Sequence, residues 1–118
     1  MDDIFIKNTA LGVRREFENR SVDAETLKEL YQGFNPVTDI DSFIAEAKKI
    51  FPDLNCGVAT VYLKFKLGTG TVVRGFYGKH PHTFLRISDA LIVDITADQY
   101  GGPKVYVGEL VKPWSIGA

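Results

Sequence analysis

The sequence contains few of the features that cross-link, anchor or export a protein. It has one cysteine, which excludes a disulfide within the chain, so the fold depends on its core. No apolar run approaches the roughly 20 residues that a membrane helix needs. The first residues, MDDIFIKNTA, are acidic at their start and lack the apolar segment of a secretory signal. We therefore expect a cytoplasmic protein, or one secreted without a Sec-type signal, and no membrane partner.

The chain also lacks an excess of either charge. Its 14 basic and 15 acidic residues are mixed along the sequence and leave a net charge of −1. A nucleic-acid-binding protein usually shows a basic stripe, so we expect no nucleic-acid partner. With 118 residues, of which 45% are hydrophobic, the composition is that of a globular protein. We predict a single domain over residues 1–118.

The first part of the chain has the periodicity of amphipathic helices. In SVDAETLKELYQGF, apolar residues recur at helical spacing, with Asp23 as the predicted N-cap and Gly33 as the predicted stop. In TDIDSFIAEAKKIFPDL, Thr38 or Asp39 is the predicted cap, and Pro52 ends the helix. A short helix around GVRREFENR is indicated only by a weak pattern.

Beyond Gly68 the pattern becomes that of strands. The segments TVVRGFYG, HTFLRI, LIVDIT and KVYVGEL are short and rich in β-branched and aromatic residues. The tight connection from Ser88 to Ala90 predicts antiparallel neighbours in a sheet of about three to five strands, covered on one face by helices. The predicted class is α+β, with a helical part over residues 1–54 and the remaining core over residues 55–118.

The segment NCGVATVYLKFKLGTG, between these two parts, fits two structures. Val61, Leu63 and Phe65 alternate with other residues, which predicts a strand that turns through GTG into the next strand. Val58, Val61 and Phe65 also lie at i, i+3 and i+7, which predicts a helix with Asn55 as its N-cap. The pattern alone slightly favours the strand.

Cys56 is the residue in this segment with reactive chemistry. A lone cysteine is most often a small buried hydrophobe. At the first turn of a helix, however, free backbone N–H groups stabilise a thiolate and lower the thiol pKa below about 8.5. A thiolate paired with an imidazole is a nucleophile for acyl transfer, and a third group, often a carboxylate, orients the imidazole. His82 begins one predicted strand, and folding back of the next would bring Asp94 beside it.

Other polar residues allow further interpretations. His80 is the alternative base, although its position is typical of a solvated turn. Cys56, His80, His82 and Asp94 would also be a ligand set for zinc, but no pair has the short spacing of a structural zinc site, so we expect no metal and no cofactor. Asp98 is predicted to be a turn or cap residue, and Trp114 is predicted to anchor the core.

The pattern NCGVAT…GFYGKHPHTFLRISDALIVDITADQYG resembles the papain-like and transglutaminase-like cysteine enzyme superfamily, and especially its small bacterial members. The matching stretch spans residues 55–108. The resemblance implies that Cys56 is the nucleophile, His82 the base and Asp94 the orienting acid. It also implies that residues 56–67 form a central helix packed on an antiparallel sheet.

The departures from this superfamily are limited to particular positions. Phe84 and Tyr100 stand where the motif commonly has Trp and Phe, and the local papain signature around the cysteine is absent. Gln99 falls where the glutamine of the motif falls, and we take it, with Asn55, as a supporting residue. One donor of an oxyanion hole is the backbone N–H of Cys56, and the second is unidentified.

The function that the resemblance implies is thiol-dependent acyl transfer on protein or peptide amides. The enzyme would be a peptidase or a glutamine deamidase if water accepts the acyl group, and a transglutaminase if an amine does. Small members of the superfamily also occur as bacterial toxin or effector domains, for which an inhibitory immunity protein is an expected partner. The alternative from another class is a non-catalytic protein-binding module that keeps the fold.

Overall fold

The computed structural model describes residues 2–117 and has an α+β fold, as predicted from the sequence. Four helices precede the sheet within this range. They are α1 (Asp3–Glu18), α2 (Ala24–Phe34), α3 (Ile40–Ile50) and α4 (Cys56–Leu67). The described strands are β1 (Thr71–Tyr77), β2 (His80–Ser88), β3 (Leu91–Asp94), β4 (Tyr106–Gly108) and β5 (Trp114–Ser115), with a 3₁₀ turn at Ala97–Tyr100 after β3.

The ends of α2 and α3 show which local signals determine a helix boundary. The carboxylate of Asp23 accepts a hydrogen bond from the backbone of Thr26 at 2.9 Å, so the predicted cap is confirmed. Asp39 caps α3 in the same way. The predicted stop at Gly33 is wrong, because α2 continues to Phe34. The Phe34 ring is partly buried against the core and packs on the ring of Tyr31, and these contacts offset the roughly 1 kcal/mol that a helical glycine costs.

Helix α1 is much longer than the weak pattern around GVRREFENR predicts. It begins at Asp3 and buries one stripe of apolar residues, made of Ile6, Ala10, Val13 and Phe17. Arg14 is buried beside that stripe, where both of its terminal nitrogens donate to Asp98, at 2.7 and 2.8 Å. A charged residue within an apolar stripe weakens the sequence pattern, and its partner is distant along the chain. Asp98 lies in a turn, the 3₁₀ turn Ala97–Tyr100, which is one of the two predicted alternatives, and its side chain is the ion-pair partner of Arg14.

Residues 56–67 form a helix, as the resemblance implied, and not the strand that their alternation alone slightly favoured. The residues from Val58 to Leu63 are all buried, because α4 lies between α1, α2 and the sheet. Because this first part of α4 is buried on all sides, it has no single apolar face, so its sequence shows no clear helical stripe. The GTG sequence is not a hairpin turn, since Gly68 ends α4 in the left-handed conformation and donates to the carbonyl of Lys64.

The strands form one antiparallel sheet in the order β4-β3-β2-β1-β5 within residues 2–117. The tight connection between β2 and β3 lies where the sequence predicts it. On the helix side, Leu85 and Val93 join the main core with α1 to α4. Phe84 and Ile92, one position away, form a second cluster with Ala97 and Trp114 on the other face. By the same alternation, His82 and Asp94 belong to this second face.

Candidate active site

The three residues of the predicted triad come from three elements that meet at one end of the sheet. Cys56 is the first residue of α4 and is partly exposed. His82 lies near the start of β2 and Asp94 is the last residue of β3. Each of these two is only 2% exposed. The structure therefore brings the three side chains together and leaves the cysteine accessible from solvent.

The contact between His82 and Asp94 is short and enclosed. Nε2 of His82 lies 2.7 Å from Oδ2 of Asp94, close to the 2.8 Å expected for a hydrogen bond to a carboxylate. Oδ1 of Asp94 accepts from the backbone N–H of Thr96 at 3.0 Å. Because a carboxylate can only accept, Nε2 carries a hydrogen, and Nδ1 is the nitrogen left for the thiol.

Nδ1 of His82 is buried and has no hydrogen-bond partner of good geometry among residues 2–117. The Cys56 thiol is nevertheless close enough to interact with the ring. Loose geometry between a nucleophile and its base is common in enzymes without substrate. The unsatisfied nitrogen and the thiol together form a nucleophile–base pair that can tighten when a substrate binds.

The surroundings favour the charged forms of this pair. Burial favours the neutral thiol, but His82 and the backbone of Thr83 outweigh it, so the pKa of the Cys56 thiol lies below its ordinary value. Burial also acts against the imidazolium, yet the carboxylate of Asp94 and the sulfur of Cys56 raise the pKa of His82 to about 9. Both shifts favour the charged pair, a thiolate beside an imidazolium, over the neutral thiol and imidazole.

Thr83 and Tyr100 also belong to the site, although neither of them was assigned a role from the sequence. The backbone and the hydroxyl of Thr83 both interact with the thiol and help to lower its pKa. The Tyr100 ring meets the His82 ring edge to face, with centroids 5.4 Å apart. Burial, and after it the charge of Cys56, raise the pKa of the Tyr100 phenol. The signal that pointed to Tyr100 was its place in the quoted motif, whereas nothing in the sequence pointed to Thr83.

The alternative base, His80, lies outside the triad. Its side chain is exposed and stacks on Tyr100, with centroids 4.4 Å apart and an interplanar angle of 4°. His82 and not His80 makes the contact with the carboxylate of Asp94. The geometry therefore gives His80 a place at the rim of the site.

Asn55 and Gln99, the two supporting residues, hydrogen-bond the backbone and not the triad. Asn55 is the N-cap residue of α4, as predicted, but its side chain makes no capping hydrogen bond. Its buried amide instead donates to the carbonyls of Ala47 and Asp53, both at 2.8 Å, and so holds the turn before α4. The amide of Gln99 donates to the carbonyl of Thr96 at 3.1 Å and holds the turn after β3.

Trp114 is buried, as predicted for a core anchor, but it also takes part in the site. Its indole N–H donates to Oδ2 of Asp94 at 2.7 Å, so this oxygen has two nitrogen neighbours. The sequence carries no signal for this contact, because β5 and β3 are separated by two other strands in the sheet.

Two features of other site classes are not seen among residues 2–117. No group of three or more His, Cys, Asp or Glu side chains is arranged to hold a metal ion in this range. Among the same residues, no helix combines the length and the apolar character needed to cross a membrane. The acid–base geometry of Cys56, His82 and Asp94 is therefore the main chemical feature of the described chain.

A surface groove lies along the C-terminal half of α4 and does not contain the triad. It measures about 680 Å³ and runs between α2, α4 and β1. Phe34 lines this groove and also packs against Gly57, which follows the cysteine. A side chain on Gly57 would meet the rings of Tyr31 and Phe34 at 3.2 and 3.3 Å, so glycine allows these rings to approach the start of α4.

Comparisons with known proteins add no family to this description. No protein-family model, no curated protein and no solved structure matches the chain. The resemblance to papain-like and transglutaminase-like enzymes therefore stays a prediction, which rests on the quoted motif and on the side chains of the site.

Proposed function

We propose that the protein is a thiol-dependent acyl-transfer enzyme of the papain-like and transglutaminase-like type, a cysteine hydrolase or amidase that acts on protein or peptide amides. One observation carries the proposal. The buried imidazole of His82 hydrogen-bonds Asp94 through Nε2, its Nδ1 has no hydrogen-bond partner among residues 2–117, and the ring and the Cys56 thiol shift each other's pKa. A structural cysteine needs neither a lowered pKa nor a histidine held in this way.

In the first half of the reaction, the Cys56 thiolate attacks the carbonyl carbon of the amide. A sulfur–carbon bond forms, and the electron pair of the carbonyl double bond moves to its oxygen. When this intermediate collapses, the carbon–nitrogen bond breaks and the imidazolium of His82 gives its proton to the leaving nitrogen. The products are a thioester on Cys56 and a free amine or ammonia.

In the second half, neutral His82 takes a proton from water or an amine as that molecule attacks the thioester. The carbon–sulfur bond breaks, and the thiolate–imidazolium pair is restored. Asp94 holds the imidazole in the required tautomer and stabilises its charged form. Water as the acceptor makes the enzyme a peptidase or glutamine deamidase, and an amine makes it a transglutaminase.

The start of α4 supplies a donor for the negative oxygen of the intermediate. Cys56 is the first residue of the helix, where a backbone N–H has no partner within the helix. Such N–H groups stabilise charge that develops on a substrate oxygen. The cysteine therefore serves as nucleophile through its sulfur and as oxyanion donor through its backbone.

The biological setting that we propose follows the small bacterial members that the sequence resembles. The domain acts as a toxin or effector, and its substrate is a protein or peptide. It acts in the cytoplasm or after secretion without a Sec-type signal. An inhibitory immunity protein is the expected partner of such a domain.

The test is a product screen by mass spectrometry. A peptide mixture with an added biotinylated amine is incubated with the wild-type protein, with Cys56→Ser and with His80→Ala. We expect cleavage, conversion of glutamine to glutamate, or incorporation of the amine with the wild type and His80→Ala, and none of these products with Cys56→Ser.

Thiol reactivity is the second arm of the test, because it needs no substrate. Cys56 is the only cysteine of the chain, so iodoacetamide alkylation reports on it alone. We expect fast alkylation at about pH 6 and a marked decrease in His82→Ala. A thiol that titrates near 8.5 in the wild type would overturn the enzyme proposal and favour the binding module.

A further inference from the structure

The Trp114 side chain extends from the edge strand β5 to the carboxylate of Asp94 on β3. It lies on β5, which pairs with β1 through Phe76 opposite Ser115 and Tyr77 opposite Trp114. Strands β1 and β2 stand between β5 and β3 in the sheet order. The indole therefore crosses the face of these two strands to place its N–H 2.7 Å from Oδ2 of Asp94.

The indole is held firmly in this position. Trp114 is 5% exposed and stacks on Tyr106, with ring centroids 4.0 Å apart. The ring of Tyr77 meets it edge to face at 5.1 Å. Gly75 allows this arrangement, because a side chain there would collide with the carbonyl of Ser115 and keep β5 away from β1. Packing thus determines where the N–H points.

The carboxylate of Asp94 cannot turn while this donor is present. Oδ2 has both His82 Nε2 and Trp114 Nε1 at 2.7 Å, and Oδ1 accepts from the backbone of Thr96. Any rotation of the buried carboxylate breaks at least one of these contacts, which is costly where water cannot replace it. The orientation of the His82 ring therefore depends on all three hydrogen bonds of the Asp94 carboxylate.

We propose that Trp114 is a positioning residue for the thiol chemistry: its indole N–H fixes the carboxylate of Asp94 and, through it, the imidazole of His82 that activates Cys56. This inference rests on the proposed function. Without the indole N–H, the carboxylate gains freedom and the imidazolium is less well placed against the sulfur. The fraction of thiolate at low pH then falls, although the cysteine is as accessible as before.

The test uses the single tryptophan and the single cysteine of the chain. Trp114→Phe removes the N–H and keeps an aromatic ring. Biosynthetic replacement of tryptophan by β-(3-benzothienyl)alanine removes the N–H and keeps the shape of the indole. The control is Tyr106→Phe, which alters the same cluster at a hydroxyl that donates to the carbonyl of Glu109 and not to Asp94.

The measurement is the rate of Cys56 alkylation as a function of pH. In both N–H-deficient proteins we expect the rate at about pH 6 to fall about tenfold, as for the loss of one hydrogen bond to a charged group. At about pH 11, where every thiol is ionised, their rates should equal that of the wild type. Tyr106→Phe should follow the wild type throughout.

The outcomes separate this inference from the proposed function. If the wild type reacts fast at about pH 6 and both N–H-deficient proteins share its profile, Trp114 has no positioning role and the proposed function stands. A change in the alkylation rate by the same factor at every pH also overturns the inference, because it reflects altered access of iodoacetamide to the sulfur. A wild-type thiol that titrates near 8.5 overturns the proposed function and the inference with it. Should Trp114→Phe fail to fold, the indole isostere decides between these outcomes.

Discussion

Arg14 of α1 binds both carboxylate oxygens of Asp98, a residue 84 positions further along the chain, at 2.7 and 2.8 Å. Its guanidinium also donates to the carbonyl of Ile95 at 2.8 Å and lies over the ring of Phe51. Ile95 is the residue after Asp94. The first helix of the chain thus holds the turn that directly follows the orienting acid of the candidate site.

The first prediction concerns the stability that this pair contributes. Asp98→Ala leaves a buried guanidinium without its main partner, so we expect a loss of roughly 2–4 kcal/mol in the free energy of unfolding. The loss is below that of a fully buried pair because the Asp98 side chain is 19% exposed. Urea unfolding measures it. The control is Glu18→Ala, which removes a more exposed partner of Arg14 and should cost less than about 1 kcal/mol. Equal losses in the two variants would contradict the prediction.

The second prediction concerns pH and stability. Because the pKa of folded His82 is about 9 and that of an unfolded histidine about 6.5, its protonation stabilises the fold fully below about 6.5. This contribution is lost as the pH rises through about 9. Asp94→Asn removes a main cause of the raised pKa of His82. The free energy of unfolding of this variant should therefore depend less on the protonation of His82.

The measurement is urea unfolding of the wild type and Asp94→Asn at about pH 7 and about pH 10. The difference in unfolding free energy between the two proteins should shrink at the higher pH. A difference that stays constant or grows would show that the imidazolium of His82 is not stabilised by Asp94.

The third prediction separates the roles of Asp94 and Gln99. Asp94→Asn should fold but lower turnover by orders of magnitude, because the imidazole then loses its required tautomer and its counter-charge. Gln99→Ala removes only the bond to the carbonyl of Thr96 and should lower the melting temperature with little kinetic effect. Steady-state kinetics on the substrate found in the product screen, with thermal unfolding alongside, test both. Equal and mild kinetic effects would mean that Asp94 is not the orienting acid.

The fourth prediction concerns Thr83. Its hydroxyl and its backbone both help to lower the pKa of the Cys56 thiol. Thr83→Val keeps the backbone and the shape of the side chain, so the thiol pKa should rise, but less than in His82→Ala. Alkylation at about pH 6 should slow by about twofold to threefold, as for the loss of a weak hydrogen bond. Thr83→Ser, which retains the hydroxyl, is the matched control. If alkylation of Thr83→Ser slows as much as that of Thr83→Val, the effect comes from altered packing and not from the hydroxyl.

Features that depend on near neighbours along the chain could be predicted from the sequence alone. The caps at Asp23 and Asp39 are readable because a capping side chain bonds a backbone N–H three residues away. The antiparallel run of β2 and β3 follows from strand patterns joined by a tight turn. The same turn, together with the quoted motif, was enough to predict that Asp94 lies beside His82.

Features that depend on residues distant along the chain follow from the packing of helices and strands and could not be predicted. The alternation in residues 56–67 fits a strand, but this segment is a helix whose residues from Val58 to Leu63 are all buried. In the sequence Arg14 interrupts an apolar stripe, and in the structure its guanidinium is paired with Asp98. Trp114 is a hydrophobic anchor in the sequence, and the path of β5 along β1 turns its N–H to Asp94. Such contacts depend on how helices and strands pack in three dimensions, and local periodicity carries no record of that packing.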